Sequence, residues 1–345
     1  MTSAKIISIE DLHHFQNLKI FPKLKGIIVA SLLKYRVPPG VVLINPNFRN
    51  NFPLYLDNRE AYAVRADVKV GKPPRGHPCS HNLVADTIKM LSHLCRKKTN
   101  DFVIIVQKIL PFDKEGVSML LPNGDIYIET VIGDMNKLVK GEMFGSYYQV
   151  DSSFHVVKAH EILQDEVYFI SQEGKIKKRK IKPSKVVLTE SQLRSLVLMV
   201  INVSKKFEKC VIEWGIMNNK LYILHIKPVT VNEMDFADDA YRVISPGHVI
   251  GVVTFLDTSP LKFVSNFNSI IVAPFPDIRY TDLLNDASAF IFEKGSVLCH
   301  LAIDIRERRI PAVVVPRACK KFRNGDILEI NTYKKVLRVI KKSYS

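Results

Sequence analysis

The chain has 345 residues, of which 47% are hydrophobic and 24% charged, which is enough for two or three domains with ordinary cores. It has no run of about 18 uncharged apolar residues and no basic-then-apolar N-terminal pattern, which argues against a helical membrane protein and a secretory signal and favours a cytoplasmic protein. The formal charge of +16 predicts affinity for phosphate groups, and five scattered cysteines without metal-ligand spacing favour reduced, mostly buried thiols.

The first region, about residues 1–100, begins with an amphipathic stretch, KGIIVASLLKY, that we predict to be helical. The paired prolines of the following VPPG segment must end that helix. The segments VVLIN and AYAVRAD then have the composition of strands.

The second region, about residues 101–232, is rich in predicted strands, and its apolar run DFVIIVQKIL is typical of a central strand covered on both faces. Thr189 and Gln192 stand in capping-box register at the start of a helix. Asn218 and Asn219 mark the turn of a hairpin. The basic run at residues 174–185 could bind nucleic acid, but it lacks interleaved aromatic residues, so we favour an edge strand guarded by lysines.

An acidic, polar stretch at residues 233–242 is predicted to be a linker, and residues 243–345 to form a compact domain of short β runs. One helix is indicated in that domain, from about His300 to Arg309. The predicted fold class is therefore mixed α+β and α/β.

The segment FEKGSVLCHLAIDIRERRIPAVVVP, at residues 292–316, resembles the signature of the mobile domain of the phosphoenolpyruvate (PEP)-utilising enzymes. The flanking segments SPGHVIGVV, VAPFPD and NGDILEI agree with it in order and spacing. The resemblance implies a swivelling β/α domain in which His300 carries a phosphoryl group. Imidazole is a good nucleophile near neutral pH, which suits that role.

Other residues of the signature receive expected roles from the same resemblance. Gly295 would let the backbone approach the phosphate, and the first amides of a helix starting near Cys299 would face its oxygens. Two roles are open for Arg306: a structural one, or a phosphate contact in a docked state. Cys299 and Leu298 replace the family's serine and threonine, and Cys299 could make the loop sensitive to oxidation.

Residues from about 20 to 232 resemble the ATP-grasp nucleotide-binding part of the same enzymes, the group that includes PEP synthase and pyruvate phosphate dikinase. The matching pieces occur in family order and imply a shortened two-lobed domain at residues 1–232, with lobes at about 1–100 and 101–232. The resemblance implies ATP and Mg²⁺ as cofactors. It implies phosphate contacts by Lys25 and Arg65, adenine and ribose contacts by the backbone of residues 106–108 (around Gln107) and by Glu129, and a metal contact by Glu213. Lys23 is an alternative to Lys25.

Two departures from the family pattern concern the metal. Val211 stands where the family has a second carboxylate, and His225 where it has glutamine. Glu213 is then the one expected metal ligand, and Mg²⁺ would be retained mainly through the nucleotide phosphates.

The resemblance implies a dikinase-type phosphotransferase that moves a phosphoryl or pyrophosphoryl group from ATP to His300 and on to another acceptor. Because the sequence ends soon after the mobile domain, we expect the pyruvate-binding barrel to be absent and the acceptor site to lie elsewhere, for example on a separate pyruvate-binding protein. Two alternatives stay open: a catalytically degenerate relic that binds nucleotide or a partner, and a phosphohistidine carrier charged by another protein. Neither a membrane nor a nucleic-acid partner is expected.

Overall fold

The computed structural model describes residues 5–44, 56–97, 101–229, 241–256 and 268–343. The strands, in chain order, are β1 (Lys5–Ser8), β2 (Gly40–Ile44), β3 (Ala61–Val68), β4 (His77–Ser80), β5 (Phe102–Lys108), β6 (Lys114–Leu120), β7 (Ile126–Ile132), β8 (Ser146–Val150), β9 (Val156–His160), β10 (Leu163–Ile170), β11 (Ile176–Lys185), β12 (Cys210–Met217), β13 (Lys220–Pro228), β14 (Arg242–Ser245), β15 (His248–Phe255), β16 (Ser269–Ala273), β17 (Ala289–Phe292), β18 (Ala312–Val314), β19 (Ile327–Asn331) and β20 (Val336–Lys341). The helices are α1 (Pro22–Leu32), α2 (His81–Arg96), α3 (Asn136–Val139), α4 (Glu190–Ser204), α5 (His300–Glu307) and α6 (Ala318–Lys321), with 3₁₀ turns at Leu12–His14, Gln16–Ile20 and Ile278–Asn285.

These elements form two compact units. Unit 1 comprises Met1–Ser118, Ile132–Asp134 and Leu163–Pro228; unit 2 comprises Met119–Val131, Met135–Ile162 and Val229–Ser345. The mixed α+β class is as predicted. Among the described residues, no helix combines the length and apolarity needed to cross a membrane.

The structure groups residues 1–232 differently from the predicted lobes at about 1–100 and 101–232. Strand β5 lies in the middle of a five-stranded sheet with the order β1-β2-β5-β3-β4, so a cut at residue 100 would remove the central strand of its own sheet. The domain assigned to residues 1–232 is also divided, because Met119–Val131 and Met135–Ile162 group with the C-terminal part. Most of the predicted linker (233–240) lies outside the described residues, and Arg242 already belongs to β14.

Strand β5 is covered on both faces, as its apolar run predicts. Phe102, Ile104 and Val106 pack in a core with the buried face of α2, whereas Val103 and Ile105 pack in a second core with α1. Successive side chains of a strand point to opposite faces, so a strand that is buried on both faces shows no alternation of polar and apolar residues.

Helix α1 starts earlier than its amphipathic stretch, at Pro22, a residue favoured in the first turn. Its N-terminus is capped by a side chain of β3: Asp67 Oδ2 accepts the backbone N–H of Lys23 at 2.7 Å and of Leu24 at 3.0 Å. The helix ends at Leu32, before the VPPG segment.

The remaining predicted features of unit 1 are confirmed. Thr189 and Gln192 form a capping box at the start of α4, and Asn218 and Asn219 turn the β12–β13 hairpin with φ of 51° and 57°. The basic run is an edge strand: β11 is largely exposed and, within the described part of the chain, pairs only with β10.

In unit 2, β7, β8 and β9 pair antiparallel. A seven-stranded sheet follows with the order β14-β18-β17-β16-β15-β19-β20, in which β15, β16, β17 and β18 run parallel. Helix α5 is the crossover between the parallel strands β17 and β18. It therefore starts at the carboxyl end of a parallel strand, where open α/β sheets place their ligands.

Candidate functional site

His300 is the first residue of α5, and its side chain is exposed. Strand β17 ends at Phe292, a loop follows, and Cys299 is the N-cap residue with an extended backbone. The positive end of the helix dipole thus lies beside the imidazole. This position suits a side chain that must receive an anionic group.

Arg306 holds the loop from inside the unit. It is only 3% exposed, and its Nη1 donates to the carbonyl oxygens of Val297 at 2.6 Å and Ile244 at 3.1 Å. Burial lowers the pKa of its guanidinium to about 10. Of the two roles left open for Arg306, these contacts favour the structural one.

Gly295 was expected to let the backbone approach the phosphate, and the structure shows a packing requirement for glycine at this position. Its φ is +132°, and a Cβ there would lie 2.4 Å from Cδ of Pro276 and 2.9 Å from the carbonyl oxygen of Gly141. The backbone therefore packs too closely against Pro276 and Gly141 to accept a side chain at this position.

The suggestion that Cys299 makes the loop oxidation-sensitive is wrong for this structure. Its side chain is fully buried, and burial raises the pKa of the thiol to about 12. A neutral, enclosed thiol is a poor nucleophile.

Glu129 is fully buried and is bound by protein donors. Its Oε2 accepts the Ser296 hydroxyl at 2.6 Å, its Oε1 accepts the N–H of Gly145 at 3.3 Å, and Arg242 Nη1 lies 3.9 Å from Oε1. Burial raises the pKa of this carboxyl, while Arg242 and the hydrogen bonds oppose the rise. Both carboxylate oxygens are thus engaged within unit 2, and the ribose contact expected of Glu129 stays a prediction.

A cluster of charges in unit 1 contains Lys23, Arg65 and Glu213. Lys23 Nζ donates to the Ala66 carbonyl at 2.9 Å. Burial lowers the pKa of Lys23; the neighbouring Asp67 carboxylate opposes this most, Arg65 lowers the pKa further and Glu213 raises it. Burial also lowers the pKa of Arg65, and Glu213 opposes that shift. Lys25 instead places its Nζ 4.9 Å from the Phe207 ring centroid. The structure therefore brings Lys23, not Lys25, into this cluster.

The residues around Glu213 do not fit a protein-held magnesium ion. His225 Nδ1 lies 3.7 Å from Glu213 Oε2, and Val211 is buried. Across the described ranges, no group of three or more acidic, histidine or cysteine side chains is arranged to hold a metal. One carboxylate beside a histidine and two cations is a weak site for a hard divalent cation.

The predicted adenine contact at residues 106–108 is also corrected. These residues pair with β2 on one side and β3 on the other, and Gln107 is buried with its Nε2 donating to the Pro38 carbonyl at 3.2 Å. A cavity of about 380 Å³ lies beside the segment that follows. Its lining includes Ala61, Ile109, Leu110, Pro111, Tyr168 and Arg179.

Three residues at these sites are absent from the sequence-based prediction: Asp67, Arg242 and Ser296. Asp67 stands in the same AYAVRAD segment as Arg65, but only the fold shows that it caps α1. Arg242 was assigned to the linker. Ser296 lies inside the recognised signature, four residues before His300, and the resemblance gave it no role.

Comparison with known proteins decides the relationship. Residues 266–335 match the mobile domain of the PEP-utilising enzymes, and residues 93–245 match the AMP/ATP-binding domain of pyruvate phosphate dikinase. The chain is a relative of the PEP-utilising enzymes. His300 and its loop lie within the first match.

Curated relatives of this group include a probable phosphoenolpyruvate synthase of Archaeoglobus fulgidus, 23% identical over 265 residues that cover 70% of this chain and 35% of the relative. A probable phosphoenolpyruvate synthase of Methanothermobacter thermautotrophicus is 24% identical over 230 residues, which cover 61% of this chain and 33% of the relative. The phosphotransferase YvkC of Bacillus subtilis, named as uncharacterized, is 30% identical over 107 residues, 28% of this chain and 13% of that protein. The chain thus spans about a third of the length of the synthases. The predicted nucleotide-binding region and mobile domain are confirmed at the level of the family.

Proposed function

We propose that this chain is a phosphotransferase in which His300 takes a phosphoryl or pyrophosphoryl group from ATP and passes it to an acceptor. One observation carries the proposal: His300 is exposed at the start of the crossover helix α5, on a loop that the rest of unit 2 holds in place. The matched AMP/ATP-binding and mobile domains support it.

The chemistry is a displacement at phosphorus. A ring nitrogen of neutral His300 attacks, the N–P bond forms as the bridging P–O bond breaks, and the leaving nucleotide takes the electron pair. The ring proton passes to solvent. The resulting phosphoramidate can then donate its phosphoryl group to an acceptor oxygen by the same displacement.

Nucleotide recognition in this proposal uses groups of unit 1. Lys23 and Arg65 supply positive charge for the phosphates, where it favours the charge that builds up during transfer. The cavity lined by Ile109, Leu110 and Pro111 is large enough for a purine base and is partly apolar, as base sites usually are. Lys25 and residues 106–108 have no contact role in it.

The test is incubation of the protein with ATP labelled at the β or the γ phosphorus, together with Mg²⁺. We expect label that is acid-labile and base-stable, that is lost in His300→Ala and that persists in His155→Ala, which removes another exposed histidine of unit 2. Label at β as well as γ would identify a pyrophosphoryl transfer. Stable label in His300→Ala would overturn the proposal.

A second candidate is a nucleotide-binding relic without turnover. The contact between His225 and Glu213, at 3.7 Å, favours it because a histidine occupies the neighbourhood of the one carboxylate left for the metal. ATP binding without any labelling of His300 would support this candidate. Labelling from phosphoenolpyruvate in a cell extract, but not from ATP, would instead indicate a carrier charged by another protein.

A further inference from the structure

Glu129 links the matched nucleotide-binding region to the His300 loop inside unit 2, and Arg242, in β14 of the seven-stranded sheet, binds the residue next to it. Both residues lie in the match to the AMP/ATP-binding domain, whereas Gly295 and Ser296 lie in the match to the mobile domain. The Ser296 hydroxyl donates to Glu129 Oε2 at 2.6 Å, and Arg242 Nη2 donates to the Gly295 carbonyl at 2.9 Å. Two consecutive residues of the His300 loop are therefore bound, Ser296 by Glu129 of β7 and Gly295 by Arg242 of β14.

The rest of the loop is held by contacts within the mobile domain. Ser296 Oγ also accepts the N–H of Leu298 at 3.1 Å, and the Cys299 N–H approaches the Ser296 carbonyl at 3.4 Å. Arg306 binds the Val297 carbonyl at 2.6 Å. Every residue from 295 to 299 thus has a hydrogen bond, and the next residue is the histidine.

Arg242 is itself fixed in position. Its guanidinium carbon lies 4.6 Å from the Phe144 ring centroid and 5.7 Å from that of Tyr147, and its Nη1 lies 3.9 Å from Glu129 Oε1. A cation held over two rings and beside a buried carboxylate has little freedom. It can therefore act as a rigid support for the Gly295 carbonyl.

We infer that Glu129, Arg242 and Ser296 are positioning residues, which hold the His300 loop of unit 2 in the conformation from which His300 takes up the phosphoryl group. The inference rests on the proposed function and replaces the ribose contact expected of Glu129. Transfer between two fixed centres depends on placement to within a fraction of an ångström, so a loop fixed beforehand speeds the chemical step without changing the affinity for the nucleotide.

The experiment compares Ser296→Ala, Glu129→Gln and the double variant. Ser118→Ala is the matched control, because the Ser118 hydroxyl is also buried but has no hydrogen-bond partner within the described residues. Three quantities are measured: the rate of His300 labelling at saturating ATP, the dissociation constant for ATP, and deuterium uptake by a peptide covering residues 293–299. We expect each single variant to lower the labelling rate about tenfold, the order of one hydrogen bond to a charged group, and to raise the uptake while the dissociation constant stays the same. The loss of rate in the double variant should be smaller than the product of the two single losses, because both substitutions weaken the contact between Ser296 and Glu129.

Other outcomes overturn the inference. Unchanged uptake in both single variants would show that Glu129 does not hold the loop. Weaker ATP binding by Glu129→Gln with unchanged uptake would restore the ribose contact. If the wild-type protein takes no label at all, the proposed function fails, and the uptake measurement still decides whether these residues hold the loop.

Discussion

The neighbour of His300 is a neutral thiol. Cys299 is fully buried, and burial raises the pKa of its thiol to about 12, so the neutral thiol predominates at pH 8. Cys319 is the cysteine with partial exposure, whereas Cys79, Cys95 and Cys210 are buried.

We therefore predict that the native protein at pH 8 reacts with Ellman's reagent at one thiol at most, and that Cys319→Ser abolishes this reaction. All remaining thiols should react after unfolding in guanidinium chloride. The control is mass spectrometry of alkylated peptides, which assigns the reactive position. Rapid alkylation of Cys299 in the native protein would contradict the burial that the structure gives this residue.

Single residues show where a sequence pattern stops being informative. Gln107 and Glu129 are polar residues, and the motifs in which they stand predict contacts with a nucleotide. Their burial depends on partners far along the chain: Pro38 for Gln107 and Ser296 for Glu129. A pattern of neighbours in sequence cannot reveal such long-range partners, and the choice between Lys23 and Lys25 likewise depended on Arg65 of β3 and Glu213 of β12.

At the scale of elements, short sequence motifs were sufficient to predict the start of a helix where its capping contacts join residues close in sequence. The capping box of α4 joins residues three positions apart: Thr189 Oγ1 accepts the N–H of Gln192 at 3.3 Å, and Gln192 Oε1 accepts the N–H of Thr189 at 3.1 Å. The start of α1 was missed because its cap, Asp67, comes from β3, more than 40 residues away.

We predict that Thr189→Ala lowers the free energy of unfolding by about 1 kcal/mol, because one amide at the helix start loses its acceptor. Thr189→Ser keeps the hydroxyl and should stay within a few tenths of a kcal/mol of the wild type. Urea unfolding followed by the fluorescence of Trp214 measures the change, since this single tryptophan is buried in β12 of the same unit. Ser195→Ala, on the exposed side of α4, is the control, and an equal loss there would argue against the cap.

At the scale of the whole molecule, the sequence predicted the two family domains but not how the chain divides. Residues 119–162 look like part of the nucleotide-binding region in sequence, and most of them group with the C-terminal unit in the structure. What places them there is long-range packing, such as Gly141 and Gly295 against Pro276 and Glu129 against Ser296. None of these pairs is visible as a local pattern.

Nucleotide and metal should act together on the stability of the whole chain. A ligand at a hundred times its dissociation constant stabilises the folded state by about 2.7 kcal/mol, which raises Tm by several degrees. Because Glu213 is one carboxylate beside His225 and the Lys23–Arg65 charges, we predict that Mg²⁺ alone leaves Tm unchanged, that ATP alone raises it, and that both together raise it most. Thermal unfolding followed by circular dichroism measures the three shifts.

Two controls separate this coupling from general effects of charge. A chain with a formal charge of +16 attracts polyanions in general, so we expect tripolyphosphate to raise Tm less than ATP does if the base is recognised. Glu213→Gln should keep the shift with ATP and reduce the increment due to Mg²⁺, because the metal loses its one carboxylate ligand and keeps the nucleotide phosphates. A shift with Mg²⁺ alone that disappears in Glu213→Gln would mean that the protein holds the metal by itself, contrary to the donor set around Glu213.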